Sequence, residues 1–225
     1  MTTLTELTTR ALNAMGDGGG DTWSSAQVEE WLREAIADYG QYFPRQHQVE
    51  LPATPGVHAY PLPEGLQAIL LVEYPSGRIP PQYLTQRSRT HRRFWNRAGY
   101  YDWHATGPGC APELVLSEAP LAGETITVTY LGPHDAALEG DDPLTVPTGH
   151  EPVLILYAIM MAWQERLAQE QQEPASNSTL LLSQFASNAD RARRNYVQAL
   201  SRARIAAAGR STAVRWPMDK WENSY

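Results

Sequence analysis

Apolar residues recur at helical spacing at both ends of the chain and at strand spacing between them. Leu4, Leu7, Ala11 and Met15 fall at intervals of three and four and predict a helix over Thr2–Met15. The run Gly16-Asp-Gly-Gly-Gly-Asp21 then breaks the pattern and reads as a flexible linker. Ser24–Tyr42 carries the clearest stripe, with Val28, Trp31, Leu32, Ala35, Ile36 and Tyr39 on one side of a helix. Ser24 with Gln27 three residues on is a capping box, and Gly40 and Pro44 mark the stop.

From residue 47 to 131 proline and glycine become frequent and the period changes to two. Short β-type runs are predicted at Gln48–Leu51, Val57–Leu62, Ala68–Tyr74, Ile79–Leu84, Glu113–Ser117 and Thr125–Leu131. In the last run Ile126, Val128 and Tyr130 share one face and Thr125, Thr127 and Thr129 the other. Pro120–Glu124 is expected to join the last two runs as a hairpin loop. Short strands so closely spaced suggest a small antiparallel sandwich or barrel.

Helical spacing returns after residue 148, where Thr148 and Glu151 read as a second capping box with Pro152 in the first turn. The stretch from Val153 is apolar almost all round, which predicts burial on every side. A long helix over Ser178–Ala208 follows, with an inner stripe of Leu182, Phe185, Ala189, Ala192, Tyr196, Ala199, Ala203 and Ala206. The small residues in that stripe permit close helix approach. The expected fold is therefore α+β: a helical bundle (1–45 and 146–208), an inserted β module (46–145) and an extended C-terminal tail (209–225).

Composition narrows the function. With 225 residues, 42% hydrophobic and 19% charged, the chain is long enough to build a core without metal or disulfide staples. The single Cys110 excludes an intrachain disulfide framework and points to a reducing compartment. The longest apolar run, Val153–Trp163, is too short to span a bilayer, and no secretory leader is expected at the start. A net charge of -7 argues against a wholesale nucleic-acid coat.

No catalytic or cofactor constellation stands out. The six histidines (47, 58, 91, 104, 134, 150) include no HExxH pair and read as surface or loop residues. There is no G-x-S-x-G elbow, and Lys220, the only lysine, is in no phosphate-loop motif. Gly16–Asp21 fails the calcium-loop pattern after two acids. Asp141-Asp142, with Glu139, reads as solvated loop acids.

Two arginine-rich stretches are unusual. Residues 78–97 hold Arg78, Arg87, Arg89, Arg92, Arg93 and Arg97 with no acid, interleaved and followed by Tyr83, Phe94, Trp95, Tyr100, Tyr101 and Trp103. Arginine with aromatics suits a protein interface; it also suits nucleic acid, with guanidinium on phosphate and rings on bases, or a solvated loop with a few core aromatics. The second stretch is Arg191, Arg193, Arg194, Arg202, Arg204, Arg210 and Arg215, opposed only by Asp190. Acids lie mainly in 1–77 and 98–175, and such polarity suits head-to-tail association of copies.

The run Val28-Glu-Glu-Trp-Leu-Arg-Glu-Ala-Ile-Ala-Asp-Tyr39 leading to Tyr42-Phe-Pro44 resembles the first helix of head-to-tail adaptor (connector) proteins of tailed bacteriophages. The Pro120–Tyr130 segment and the apolar helix entered at His150-Glu-Pro152, followed by a long Arg/Ala helix, are similar to the same family. The resemblance implies a structural, non-enzymatic virion protein: a homo-oligomeric ring of about twelve copies under the portal. Such a ring sits in the neck between capsid and tail, is assembled in the host cytoplasm, and passes double-stranded DNA without sequence specificity. It implies no cofactor, metal or membrane. The expected portal-docking tail carries Arg215, Trp216, Trp221 and Tyr225. The expected interface with tail or further neck proteins is Arg87, Arg92, Arg93, Trp95, Tyr100, Tyr101 and Trp103. The expected subunit–subunit or channel helix carries Arg191, Arg193, Arg194, Arg202 and Arg204. The alternatives are a carbohydrate-binding module displaying Tyr100, Tyr101 and Trp103 beside Asp102, and a nucleic-acid-binding module using 78–103.

Overall fold

A computed structural model describes residues 2–104, 111–172 and 178–211. Cys110 and the predicted tail residues Arg215, Trp216, Trp221 and Tyr225 lie outside the described residues. The fold is α+β, and the chain divides into two compact units, Met1–Phe43 with His134–Tyr225, and Pro44–Pro133.

The first unit is helical. α1 (Leu4–Met15) opens on a capping box in which Thr3 and Glu6 exchange side-chain and backbone bonds, and it ends at Gly16 in the left-handed conformation. The predicted linker is a built turn instead. The Asp17 carboxylate accepts from the backbone N–H of Asp21, Thr22 and Trp23, the last at 2.7 Å. α2 (Ser25–Tyr42) is capped by Ser24 and buries the whole predicted stripe, Val28 to Tyr39.

Thr148 caps nothing. Thr148–His150 forms a 3-10 turn, and α3 (Glu151–Gln172) follows it directly. Glu151, 2% exposed, pairs instead with Arg10 of α1 at 2.5 Å. Nor is α3 buried on every side. Leu154, Ala158 and Ala162 join the core of α1 and α2, whereas Val153, Leu156 and Met160 pack towards α4 (Ser178–Ser211). Ile159 between them stays half-exposed. On α4, Ala189, Ala192 and Tyr196 are buried as the stripe requires. Leu200 joins them, while Ala206 is exposed. The irregular segment 134–147 carries Leu138, Leu144 and Val146 into the α1–α2–α3 core.

The second unit is a two-sheet sandwich. One sheet has the order β1-β7-β3, from β1 (Arg45–Pro52), β7 (Thr125–Gly132) and β3 (Ala68–Glu73), all antiparallel. The other has the order β2-β6-β5-β4, from β2 (Ala59–Pro61), β6 (Glu113–Leu116), β5 (Tyr100–His104) and β4 (Thr85–Gln86). It is mixed, because β4 runs parallel to β5. Val72, Ile126 and Val128 from the first sheet meet Tyr60, Tyr101, Leu114 and Leu116 from the second in one core. The predicted hairpin is absent. β6 and β7 are each central in different sheets, so 117–124 crosses between sheets rather than turning within one. The predicted strand Ile79–Leu84 is reduced to a bridge at Tyr83, before the two-residue β4. Prolines at 80 and 81 remove two ladder donors there.

Candidate functional site

In the sandwich, residues 87–99 run as successive turns between β4 and β5. Phe94 is fully buried and anchors them, with Trp95 edge-on to it at 4.8 Å. Trp95 also meets His58 at 5.6 Å, yet stays 53% exposed. Asp102 on β5 ties the segment down by accepting from the Arg89 backbone N–H at 2.8 Å. The Arg87 guanidinium lies 4.6 Å over the Tyr100 ring, which fixes both side chains.

This geometry divides the predicted interface residues. Arg92, Arg93 and Trp95 are exposed together with Arg89 and Arg97, and none of these arginines forms an ion pair among the described residues. Tyr101 is 4% exposed and belongs to the sandwich core, so it cannot contact a partner or form a sugar platform with Tyr100 and Trp103. Its position in β5 faces it inward, and burial raises its phenol pKa. Trp103 is half-buried against the same core.

A cleft of about 260 Å³ opens beside this segment, among Tyr74, Arg78, Gln82, Tyr100, Leu121 and Glu124. Glu124 pairs with Arg78 at 3.5 Å and accepts from the Tyr74 hydroxyl. Burial, reinforced by Glu124, pushes the Tyr74 phenol up to about 12. The hydroxyl therefore stays protonated and donating at neutral pH. Ile79, 99% exposed, follows Arg78 in the chain, and Leu121, 67% exposed, is on the cleft wall. Sequence reading missed this cleft, because its walls come from three separate segments, 74–84, 98–100 and 116–124, that only the folded sandwich brings together.

In the helical unit the five arginines predicted for the subunit or channel helix split between two directions. Arg193 and Arg204 border a groove of about 480 Å³ floored by Tyr42, Tyr157 and Tyr196. Arg204 stacks on Tyr42 at 5.5 Å, and the Tyr196 hydroxyl donates to Asp38. Burial first, then Asp38, drives the Tyr196 phenol pKa far up. Arg191, Arg194 and Arg202 share the stripe of Gln198 and Ile205, all exposed, opposite the buried Ala192, Tyr196 and Leu200.

The histidines of this unit are structural. His134, only 7% exposed, bonds to Thr145 Oγ1 and the Phe43 carbonyl, each at 2.9 Å. His150 Nδ1 lies 2.6 Å from the Tyr39 hydroxyl. His134 is in an irregular segment and His150 in a 3-10 turn, but the aromatic cluster of Tyr39 and Phe43 draws both inward from the surface. Among the described residues no group of three or more His, Cys, Asp or Glu is placed to hold a metal, and no helix is long and apolar enough to cross a membrane.

α4 and the 87–99 segment each expose arginines that no ion pair engages among the described residues. The model of the family SU10 adaptor protein matches residues 2–215, and the chain belongs to that family. It is therefore a phage adaptor-type structural protein, a virion component that interacts with other virion proteins. The family implies a structural role rather than a catalytic one. No curated protein matches the chain significantly.

Proposed function

We propose that the chain forms a ring of about twelve copies beneath the portal, joins the capsid to the tail and continues the DNA channel. The observation that carries this reading is the SU10 adaptor match over residues 2–215. The helical unit builds the ring, and DNA passes through it without sequence-specific contacts. The tail with Arg215, Trp216, Trp221 and Tyr225 docks on the portal, arginine and aromatics being the residue types that anchor interfaces. The sandwich turns Arg92, Arg93 and Trp95 towards tail or further neck proteins. Assembly takes place in the host cytoplasm, and the finished ring occupies the virion neck.

Native mass spectrometry of the full chain mixed with the portal ring of the same genome tests this. A single discrete increment of about one copy per portal subunit is expected, lost on deletion of 211–225. A chain that adds nothing to the portal overturns the docking, and an undiminished increment after the deletion removes the tail from it. A second reading is favoured by the exposed, acid-free arginines 89, 92, 93 and 97 beside Trp95: nucleic-acid binding. Its mark is an affinity for DNA that falls steeply with salt and disappears in Arg92→Ala/Arg93→Ala.

A further inference from the structure

Charge in the helical unit is segregated by layer. Residues 1–43 and 134–150 hold eleven acids and two arginines, whereas α4 holds six arginines and one acid. Of the acidic set, Asp38 of α2 meets α4, accepting from the Tyr196 hydroxyl beside Arg193 and Arg204, whereas the acids of 134–150 belong to a segment that packs on the other face of α3. One face of α3 packs on α4, and the opposite face belongs to the core that also takes Leu138, Leu144 and Val146 from segment 134–147. The outer surface of that segment carries Asp135, Glu139, Asp141 and Asp142, all exposed. The outer stripe of α4 carries Arg191, Arg194 and Arg202, none in an ion pair among the described residues. That stripe exposes Ile205 at 74%, and Val197, 51% exposed, borders it on the side of the tyrosine groove. Large apolar side chains in and beside an unpaired basic stripe are the mixture that protein contacts cover.

We propose that the outer stripe of α4 docks on the acidic 135–142 segment of a second copy of this chain. The proposal rests on the ring reading above and names the surfaces that meet. A basic and an acidic surface on opposite sides of one layered unit cannot meet within a chain. They meet between copies, head to tail, which is the contact that propagates into a ring. The acids differ in their duties at home. Asp135 and Asp142 each accept a backbone N–H of their own turn, from Ala137 and Glu139, whereas no side-chain bond engages Glu139 or Asp141 among the described residues. Glu139 and Asp141 are accordingly the pair that meets the arginines.

The experiment measures assembly of the full chain, free and on the portal ring, by native mass spectrometry. Three proteins are compared: wild type, Arg191→Glu/Arg194→Glu/Arg202→Glu, and Glu139→Arg/Asp141→Arg. Each variant alone is expected to self-associate at least about tenfold more weakly. An equimolar mixture recovers mixed contacts in which each variant supplies the surface that still matches. Recovery on mixing shows that both variants are folded. Ordered wild-type assembly that survives either reversal, or variants that stay apart on mixing, overturns this contact and leaves the ring reading standing. A wild-type chain that assembles neither free nor on the portal overturns the ring reading itself.

Discussion

Phe94 and Trp95 are adjacent aromatics in one arginine-rich run, and their environments assign them opposite duties. Phe94 is fully buried, so Phe94→Ala is expected to destabilise the sandwich by about 3–5 kcal/mol. Trp95→Ala, at a 53% exposed site, costs about 1 kcal/mol or less. Urea midpoints followed by circular dichroism check both, and equal shifts would refute the assignment. Asp17 supplies a pH-dependent contribution. The backbone N–H of Trp23, then those of Thr22 and Asp21, hold its carboxyl below the ordinary 3.8. A depressed folded value means that the stabilisation is full above 3.8 and fades as pH falls through the lowered value. Asp17→Asn is thus expected to melt below wild type at pH 7, with the gap closing below pH 3.8. A gap that persists unchanged in acid would contradict this origin.

At the scale of elements, two similar start signals behave differently. Thr3 with Glu6 and Thr148 with Glu151 share the same spacing, but only the first pair caps a helix. Thr3→Ala is expected to cost about 1 kcal/mol and Thr148→Ala less than about 0.5 kcal/mol, read as thermal midpoints. Comparable losses would mean that the 3-10 turn contributes a cap after all. The β elements show a related difference. The alternation of Thr125–Leu131 correctly set Ile126, Val128 and Tyr130 on the core face, since period two is a property of the strand itself. Its partners were not legible. Pairing with β1 and β3 rather than β6 depends on which inner face each sheet offers the other.

For the molecule as a whole, the segregation of charge matters more than the net value of -7. An acidic total hides a basic helix, and a contact between such surfaces weakens with ionic strength, because exposed charges are screened within about 8 Å at physiological salt. Ring assembly is expected to decline between roughly 0.05 and 0.5 M NaCl, with an Arg191→Ala/Arg194→Ala/Arg202→Ala protein far less sensitive and the Arg191→Glu/Arg194→Glu/Arg202→Glu protein gaining as salt screens its repulsion. Assembly of the wild type that strengthens with salt would point to an apolar contact centred on Val197 and Ile205 instead.

Periodicity alone determined the α+β order, the buried stripe of α2 and the inner face of α4, because each depends on spacing within one element. Composition and residue pattern likewise marked the arginine-rich stretches, and their texture carried the resemblance to phage adaptors. Tertiary structure alone decided the rest. It buried Tyr101 and Phe94 while leaving Trp95 outside, and drew His134 and His150 into an aromatic cluster. It left α3 half-open although its first half is apolar almost all round, and formed the Tyr74–Glu124–Arg78 cleft across a sheet crossover. Each of these depends on which distant surface a side chain meets, and a linear pattern encodes the face of an element but not the neighbour that covers it.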